Sequence, residues 1–563
     1  MKTRFSISVP LLALVFLSIL AGRAHAGACR DPIDAPAAVQ VGDRLFRETR
    51  FAEFFYAFVQ ASPGRTVNTV LRPGDPTVKV EQNAAGKPIR DPFRNQSMNC
   101  RNCHLGNDLL GVSHFDGRTY CDFASRSPIP LRQGDSHTTT PRNSQPLVSV
   151  TIPREVPFLF HFDGEFASIQ DLTLATLTGR NLGWLPSEFA TAEAHIIDVI
   201  KNDNGKNPLA RRYGCGGFPY SVVLKGTDPR LPASLVLPEQ YRIDVTDPGT
   251  TDDEIMQDLG ALMLAYMNSI AFNLDEPPSP YDVFLSKNGL PTTPNPGETN
   301  LDYAQRLLGL IDALANPQFV TQPKDGRLRL HKGQKFQFGV TELQGLKVFL
   351  NRPTHPVGAG GGNCVACHTP PAFTDNIFHN TGVSQTEYDG VFGKGHFAAL
   401  SIPDPETRNA NFDTYLPPTP NHPNASAMFR SPASLDHPGF TDLGVWNIVD
   451  NPDLPNPQPA LSQILCAEFN LSDSACTPDA VAPMAIGFFK TPSVRDLGQS
   501  SPYMHNGSLA TLGDVLNFYD IVSQQARSGI IRNASPELRN VFISNEDKVT
   551  LVAFLNSLNE DYK

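Results

Sequence analysis

The chain has no apolar run long enough for a comfortable membrane span. Its apolar stretch from Val9 to Ala21 falls short of the roughly 20 residues a spanning helix needs. A basic excess is also missing. Lys and Arg total 46 against 57 Asp and Glu, for a formal net charge of −11. That balance excludes nucleic acid as a partner, because phosphate backbones are held by surplus cationic charge. Cysteine is scarce, at nine in 563 residues. Proline and glycine are plentiful instead, at 50 and 42, and imply long, irregular loops between elements.

Four of the nine cysteines sit in two copies of one motif, Cys100-Arg101-Asn102-Cys103-His104 and Cys364-Val365-Ala366-Cys367-His368. C-x-x-C-H is the pattern of covalent c-type haem attachment. Cys100, Cys103, Cys364 and Cys367 would bond the haem vinyl groups, and His104 and His368 would be the proximal iron ligands. A zinc site would want further Cys or His around each pair. The expected cofactors are therefore two haem c groups.

Lys2 and Arg4, the apolar stretch and Ala24-His25-Ala26 read as a secretory signal over residues 1–26. Export to the periplasm suits haem c. Lipidation at Cys29 is the alternative, on a poor lipobox. In an oxidising compartment the remaining cysteines tend to pair. Cys466 with Cys476 is the expected local bridge, Cys121 with Cys215 a weaker one, and Cys29 is left over.

Thr341-Glu342-Leu343-Gln344 has a capping-box pattern before an apolar helix that leads to the second motif. Val41 to Val59 is a comparable start before the first. Asp252 to Phe272 repeats apolar residues at helical spacing, and its methionines read as core rather than ligands. Thr511 to Val522 reads as a helix. So does Ser544 to Leu558, with Val549, Val552, Leu555 and Leu558 on one face. Pro277 to Pro296 reads as a linker, and Gln385 to Pro483 as an insertion that is mostly loop. The expectation is a mainly α fold of two cytochrome c-like haem domains with long irregular loops. Residues 27–290 hold the first haem, and 291–563 hold the second with the insertion at about 385–483.

Further motifs resemble the di-haem cytochrome c peroxidase family, including its MauG branch. They are Pro141-Arg142-Asn143-Ser144-Gln145-Pro146, Phe160-His161-Phe162-Asp163-Gly164, Phe378-His379-Asn380-Thr381-Gly382-Val383, Phe489-Lys490-Thr491-Pro492-Ser493-Val494-Arg495, and Pro502 to Leu512. The resemblance implies that the first haem meets hydrogen peroxide. The second would pass electrons from a small cytochrome c or cupredoxin-type protein, or share oxidising equivalents with a substrate. It puts the second haem's other axial ligand at Tyr519, where peroxidases carry Met and MauG carries Tyr; Met504 is off that position. A core aromatic is the alternative role for Tyr519. The family's calcium ligands fall on Asn143, Ser500 and Pro502. A displaceable sixth ligand on the first haem falls on His137, or else His114, and His161 reads as packing or contacting a propionate.

The departures from the family are chemical. Its distal Gln, Pro and Glu positions fall on Leu172, Thr176 and Leu182, and leucine cannot act as the acid/base that cleaves a peroxide bond. Glu165, Gln170, Asp171 and Glu188 are nearby substitutes. Phe162 stands where the family has Trp between the haems. Three functions follow: peroxide reduction, MauG-like oxidation of a protein or organic substrate, and electron transfer or redox sensing without catalysis.

Overall fold

The computed structural model describes residues 35–70, 99–100, 103–106, 119–120, 132–133, 140–145, 147, 150–214, 217–270, 279–323, 328, 333–352 and 361–560. The expectations on residues 1–26, Cys29, His114, Cys121, His137 and Cys215 lie outside them. The described chain is mainly helical. Its strands are two short antiparallel pairs, Leu105–Gly106 with Thr119–Tyr120 and Phe378–His379 with Phe489–Lys490.

Apolar side chains collect into three cores. The first joins helices Ala37–Phe46, Ile169–Leu177, Phe189–Asn202 and Asp252–Ser269. The last of these opens with a reciprocal capping box between Thr251 and Glu254, which satisfies two orphan amides. The second core joins Pro280–Lys287, Asn300–Asp312, Val340–Leu350, Leu512–Arg527 and Asn545–Asn556. Each of these two cores has a close helix crossing at a glycine. A Cβ on Gly42 would collide with the Leu262 carbonyl oxygen, and one on Gly345 with that of Thr550. In both halves this crossing helix precedes the C-x-x-C-H motif. Because backbone cannot yield as a flexible side chain can, Gly345→Val should lower stability by about 3 kcal/mol or more. A thermal melt followed at the haem absorbance checks it.

Three expectations need correcting here. Pro277 to Pro296 is not all linker: Ser279 caps a helix with Pro280 in its first turn, and Tyr281, Phe284 and Leu285 bury themselves in the second core. No reciprocal capping box forms at Thr341: the helix opens two residues earlier, with only the Glu342 half of such a box in place. Gly339 is the N-cap, and its N–H donates to Glu342. On the final helix Val549 is 66% exposed. The buried face there is Leu551, Phe554 and Leu555, with Leu558 just beyond the helix.

The inserted stretch is also more than loop. It carries helices Val383–Phe392, Pro405–Ala410, Phe412–Tyr415, Gln458–Glu468 and Pro478–Met484, and most of a third core around Phe429, Leu443, Trp446 and Leu465. The guanidinium of Arg408, fully buried, donates to the Trp446 and Val449 carbonyls and so satisfies irregular backbone there. Cys466 and Cys476 form the expected disulfide. Buried ion pairs tie this unit to the first half. Arg142 bonds Asp442 at 2.7 Å and Asp163 at 2.6 Å, and Arg430 grips Glu165 at 2.5 Å.

Candidate functional site

Each C-x-x-C-H motif is a tight turn. His104 N–H reaches the Cys100 carbonyl at 2.9 Å, and His368 N–H reaches that of Cys364 at 2.8 Å. The turn brings both sulfurs and the imidazole to one wall of a cavity. The first cavity, about 200 Å³, is lined by Cys100, Cys103 and His104. The second, about 220 Å³, is lined by Cys364, Cys367 and His368.

The histidines are prepared for metal in the same way. His104 Nδ1 lies 2.8 Å from the Gln145 carbonyl oxygen, and His368 Nδ1 lies 3.2 Å from that of Phe373. A carbonyl only accepts, so Nδ1 carries the proton and Nε2 keeps a lone pair. Burial holds both rings neutral, pushing His104 down to about 4 and His368 below its usual value. A neutral imidazole oriented by its other nitrogen is the form that ligates a metal. Burial also pushes the Cys100 and Cys364 sulfurs up to about 12, which keeps them as thiols. Thiols and imidazole on an enclosed wall therefore fit haem c at both motifs.

Tyr519, on the Leu512–Arg527 helix, lines the second cavity with His368 and also packs on the second core. Burial raises its phenol well above the usual range, so the folded chain by itself does not make it a phenolate. Met504 lines the same cavity. Met263 and Met267 are buried in the first core and face the first cavity as well.

Leu172, Thr176 and Leu182 all line the first cavity, and no Asp or Glu is among its described lining residues. None of the four proposed substitutes is on that wall. Glu188 is held by Arg132. Glu165 is committed to Arg430. Burial works against its charge, yet the guanidinium and His161 hold it ionised well below the carboxylate range. His161 does face the cavity, with Nδ1 2.9 Å from Glu165 Oε2.

Arg430 was not foreseen. It reaches the first cavity from the inserted stretch, in a Pro- and Asn-rich run that carries no local signal for a site. The insertion thus supplies part of the first site's wall.

Phe162, Asn143 and Ser144 line both cavities and so form a common partition. The Phe162 ring stands edge-on to His505 at 6.4 Å, and His505 stacks on Phe489 at 3.6 Å. Asn143 receives the chain beyond Pro502 on both its groups. Its N–H donates to the His505 carbonyl and its Nδ2 to that of Pro502, each at 2.6 Å. Ser500 is buried on the second cavity's wall beside them. Behind the partition Lys490 donates to the Leu159 carbonyl at 2.9 Å, and burial pushes its amine down to about 7.

No protein-family model matches the chain. It is 28% identical over 209 residues to the cytochrome-c peroxidase IdrP2 of Denitromonas iodatirespirans, covering 36% of this chain and 38% of that protein. It is 40% identical over 81 residues to the methylamine utilization protein MauG of Methylorubrum extorquens, covering 14% and 21% respectively. The matches thus span well under half the length of these relatives. The diheme peroxidase BthA of Burkholderia thailandensis aligns over 95% of this chain and 88% of its own. Its 16% identity and TM-score of 0.42 are too low for the likeness to assign a fold. Among the described residues no helix is long and apolar enough to cross a membrane. Over these stretches the chain is similar to cytochrome c peroxidase and MauG proteins.

Proposed function

We propose that the chain is an exported di-haem c oxidoreductase that uses hydrogen peroxide, with electrons drawn from a small cytochrome c or cupredoxin-type protein. The observation that carries this reading is the common partition: two cavities, each with its own C-x-x-C-H wall, share Phe162, Asn143 and Ser144. Redox groups held there would sit close enough to exchange charge. Haem c, when bound, supplies iron that exchanges electrons and binds oxygen ligands. The chain's own part is to orient and insulate. Gln145 and Phe373 fix the two imidazoles, the leucines exclude water from the first cavity, and Arg142 and Arg430 fix its rim. Calcium at Asn143, Ser500 and Pro502 belongs to the same proposal. It would replace the direct bond from Asn143 to Pro502 with oxygen ligation.

Tyr519 favours a second reading, MauG-like oxidation of a protein or organic substrate. A hard phenolate supports ferric and higher states, whereas a thioether supports Fe(II). Ferric-state EPR of the wild type and Tyr519→Phe, before and after peroxide, tests both readings. One high-spin and one low-spin signal are expected, with the low-spin signal altered by the mutation and both lost with peroxide. Two unchanging low-spin signals would mean two closed irons and a non-catalytic electron carrier. Turnover with a reduced small cytochrome separates the two enzymatic readings. Steady consumption of both reactants supports the peroxidase; its absence, with the peroxide response intact, supports the MauG-like one.

A further inference from the structure

We propose that His379, Glu468 and Glu537 form a binding site for a divalent cation of the zinc type at the edge of the second C-x-x-C-H cavity, whose wall includes His379 and Glu537 but not Glu468. The three come from distant segments. His379 is on the short strand after the second motif, Glu468 ends the Gln458–Glu468 helix of the inserted unit, and Glu537 is in the Pro536–Asn540 turn. One ligand atom from each lies within 4.8 Å of the other two.

The ring of His379 is 7% exposed and has two unlike faces. Nε2 lies 2.8 Å from Asp375 Oδ2, a full hydrogen bond. Nδ1 stands 3.6 Å from Glu468 Oε1, beyond hydrogen-bond reach, and is buried with no hydrogen-bond partner. Glu537 Oε2 is likewise buried and unpartnered. Such gaps are costly unless something fills them. Tetrahedral zinc, with bonds of about 2.0–2.2 Å to nitrogen and oxygen, holds its ligand atoms roughly 3.4 Å apart. The 3.6 Å gap is close to that spacing. Asp375 plays the part that carboxylates play behind metal-bound histidines: it accepts a hydrogen bond from Nε2–H, which makes Nδ1 the lone-pair nitrogen that can ligate.

Charge points the same way. Glu468 lies at its helix's C-terminus, where the helix dipole is already negative and a carboxylate is unfavourable. Its other charged neighbours besides His379 are Glu537 and Asp375, both of like sign. A divalent cation offsets three carboxylates around one imidazole. Glu468 is 16% exposed, which gives an ion a way in. Cys367 sulfur lies against the same ring, but once bonded to haem it has neither a proton to give nor a thiolate to offer. Imidazole with carboxylates suits zinc-like ions, whereas calcium prefers all-oxygen sites.

The test uses the full, haem-loaded chain, stripped with EDTA and equilibrated with Zn²⁺ in dialysis, with metal content read by elemental analysis. One saturable zinc per chain is expected, insensitive to excess Ca²⁺. Affinity should fall about tenfold or more in Glu468→Gln and in Asp375→Asn, with haem spectra unchanged in both. No saturable zinc, or equal affinity in wild type and both variants, overturns the site and leaves His379 holding a proton. Because the readout is metal content, it is independent of peroxide activity.

Discussion

Leu182→Glu should raise peroxide turnover by about 10²-fold or more, the usual contribution of a positioned acid/base. Leu182 is 3% exposed and lines the first cavity, at the position where the resembled family carries its acid. The described wall offers no carboxylate in its place, and Glu165 is locked to Arg430 and His161. A glutamate introduced there would lose hydration, so burial would raise its pKa toward neutrality, where it could both take and return a proton. The check is kcat/KM for hydrogen peroxide across pH, with haem content equal in both proteins. The variant should gain an ionisation absent from the wild type. Unchanged turnover with intact haem spectra would show that the first cavity's chemistry does not wait on this acid.

The same comparison shows what a sequence can and cannot disclose here. The haem motifs are legible because their chemistry is local: two sulfurs and an imidazole within five residues fold into one turn whatever surrounds them. The helix opening at Thr511 and the Cys466–Cys476 bridge are legible for the same reason. Tyr519 was placed through a family spacing, and the helix then turns it onto the wall that His368 shares. The third core was hidden because much of it comes from apolar residues outside any long helix or strand, with Leu461, Ile464 and Leu465 a short helical stripe among them. Phe429, Leu443 and Trp446 are buried by irregular backbone whose carbonyls Arg408 and Asn447 satisfy. Arg430 was hidden because its role arises only across 265 residues of chain, where it meets Glu165. Val549 failed differently. A valine spaced correctly for the buried stripe is exposed, since Leu551 and Phe554 already fill the space against the Val340–Leu350 helix.

Arg142→Gln should be strongly destabilising, by about 3–5 kcal/mol, because it removes one guanidinium from two buried carboxylates at once, leaving Asp163 only the more distant Arg430. Asp163 is fully buried, with Oδ2 2.6 Å from the guanidinium, and Asp442 lies 2.7 Å from Nε. One aspartate belongs to the first half and the other to the inserted unit, so the loss should also loosen their junction. The pH dependence has a definite sign. Burial opposes the charge of Asp442, yet Arg142 holds its folded pKa below 3.8, and Glu165 is held well below 4.5 by Arg430. Groups depressed on folding stabilise fully above their unfolded pKa and lose that contribution as pH falls through the folded one. The wild type should therefore keep this junction down to about pH 4 and weaken below it. Without Arg142 only His505 and the Gly444 N–H still favour the Asp442 carboxylate against burial, so its pKa should rise. A carboxyl whose pKa is raised by folding is relieved by protonation, so the variant's stability deficit should be largest near neutral pH and shrink as pH falls. Urea melts of both proteins at pH 7 and pH 4, followed by haem absorbance and by tryptophan fluorescence, to which Trp446 in the third core contributes, would read this narrowing. Equal stability of the two proteins at pH 7 would mean that the junction draws its strength from packing and that Arg142 adds little to it.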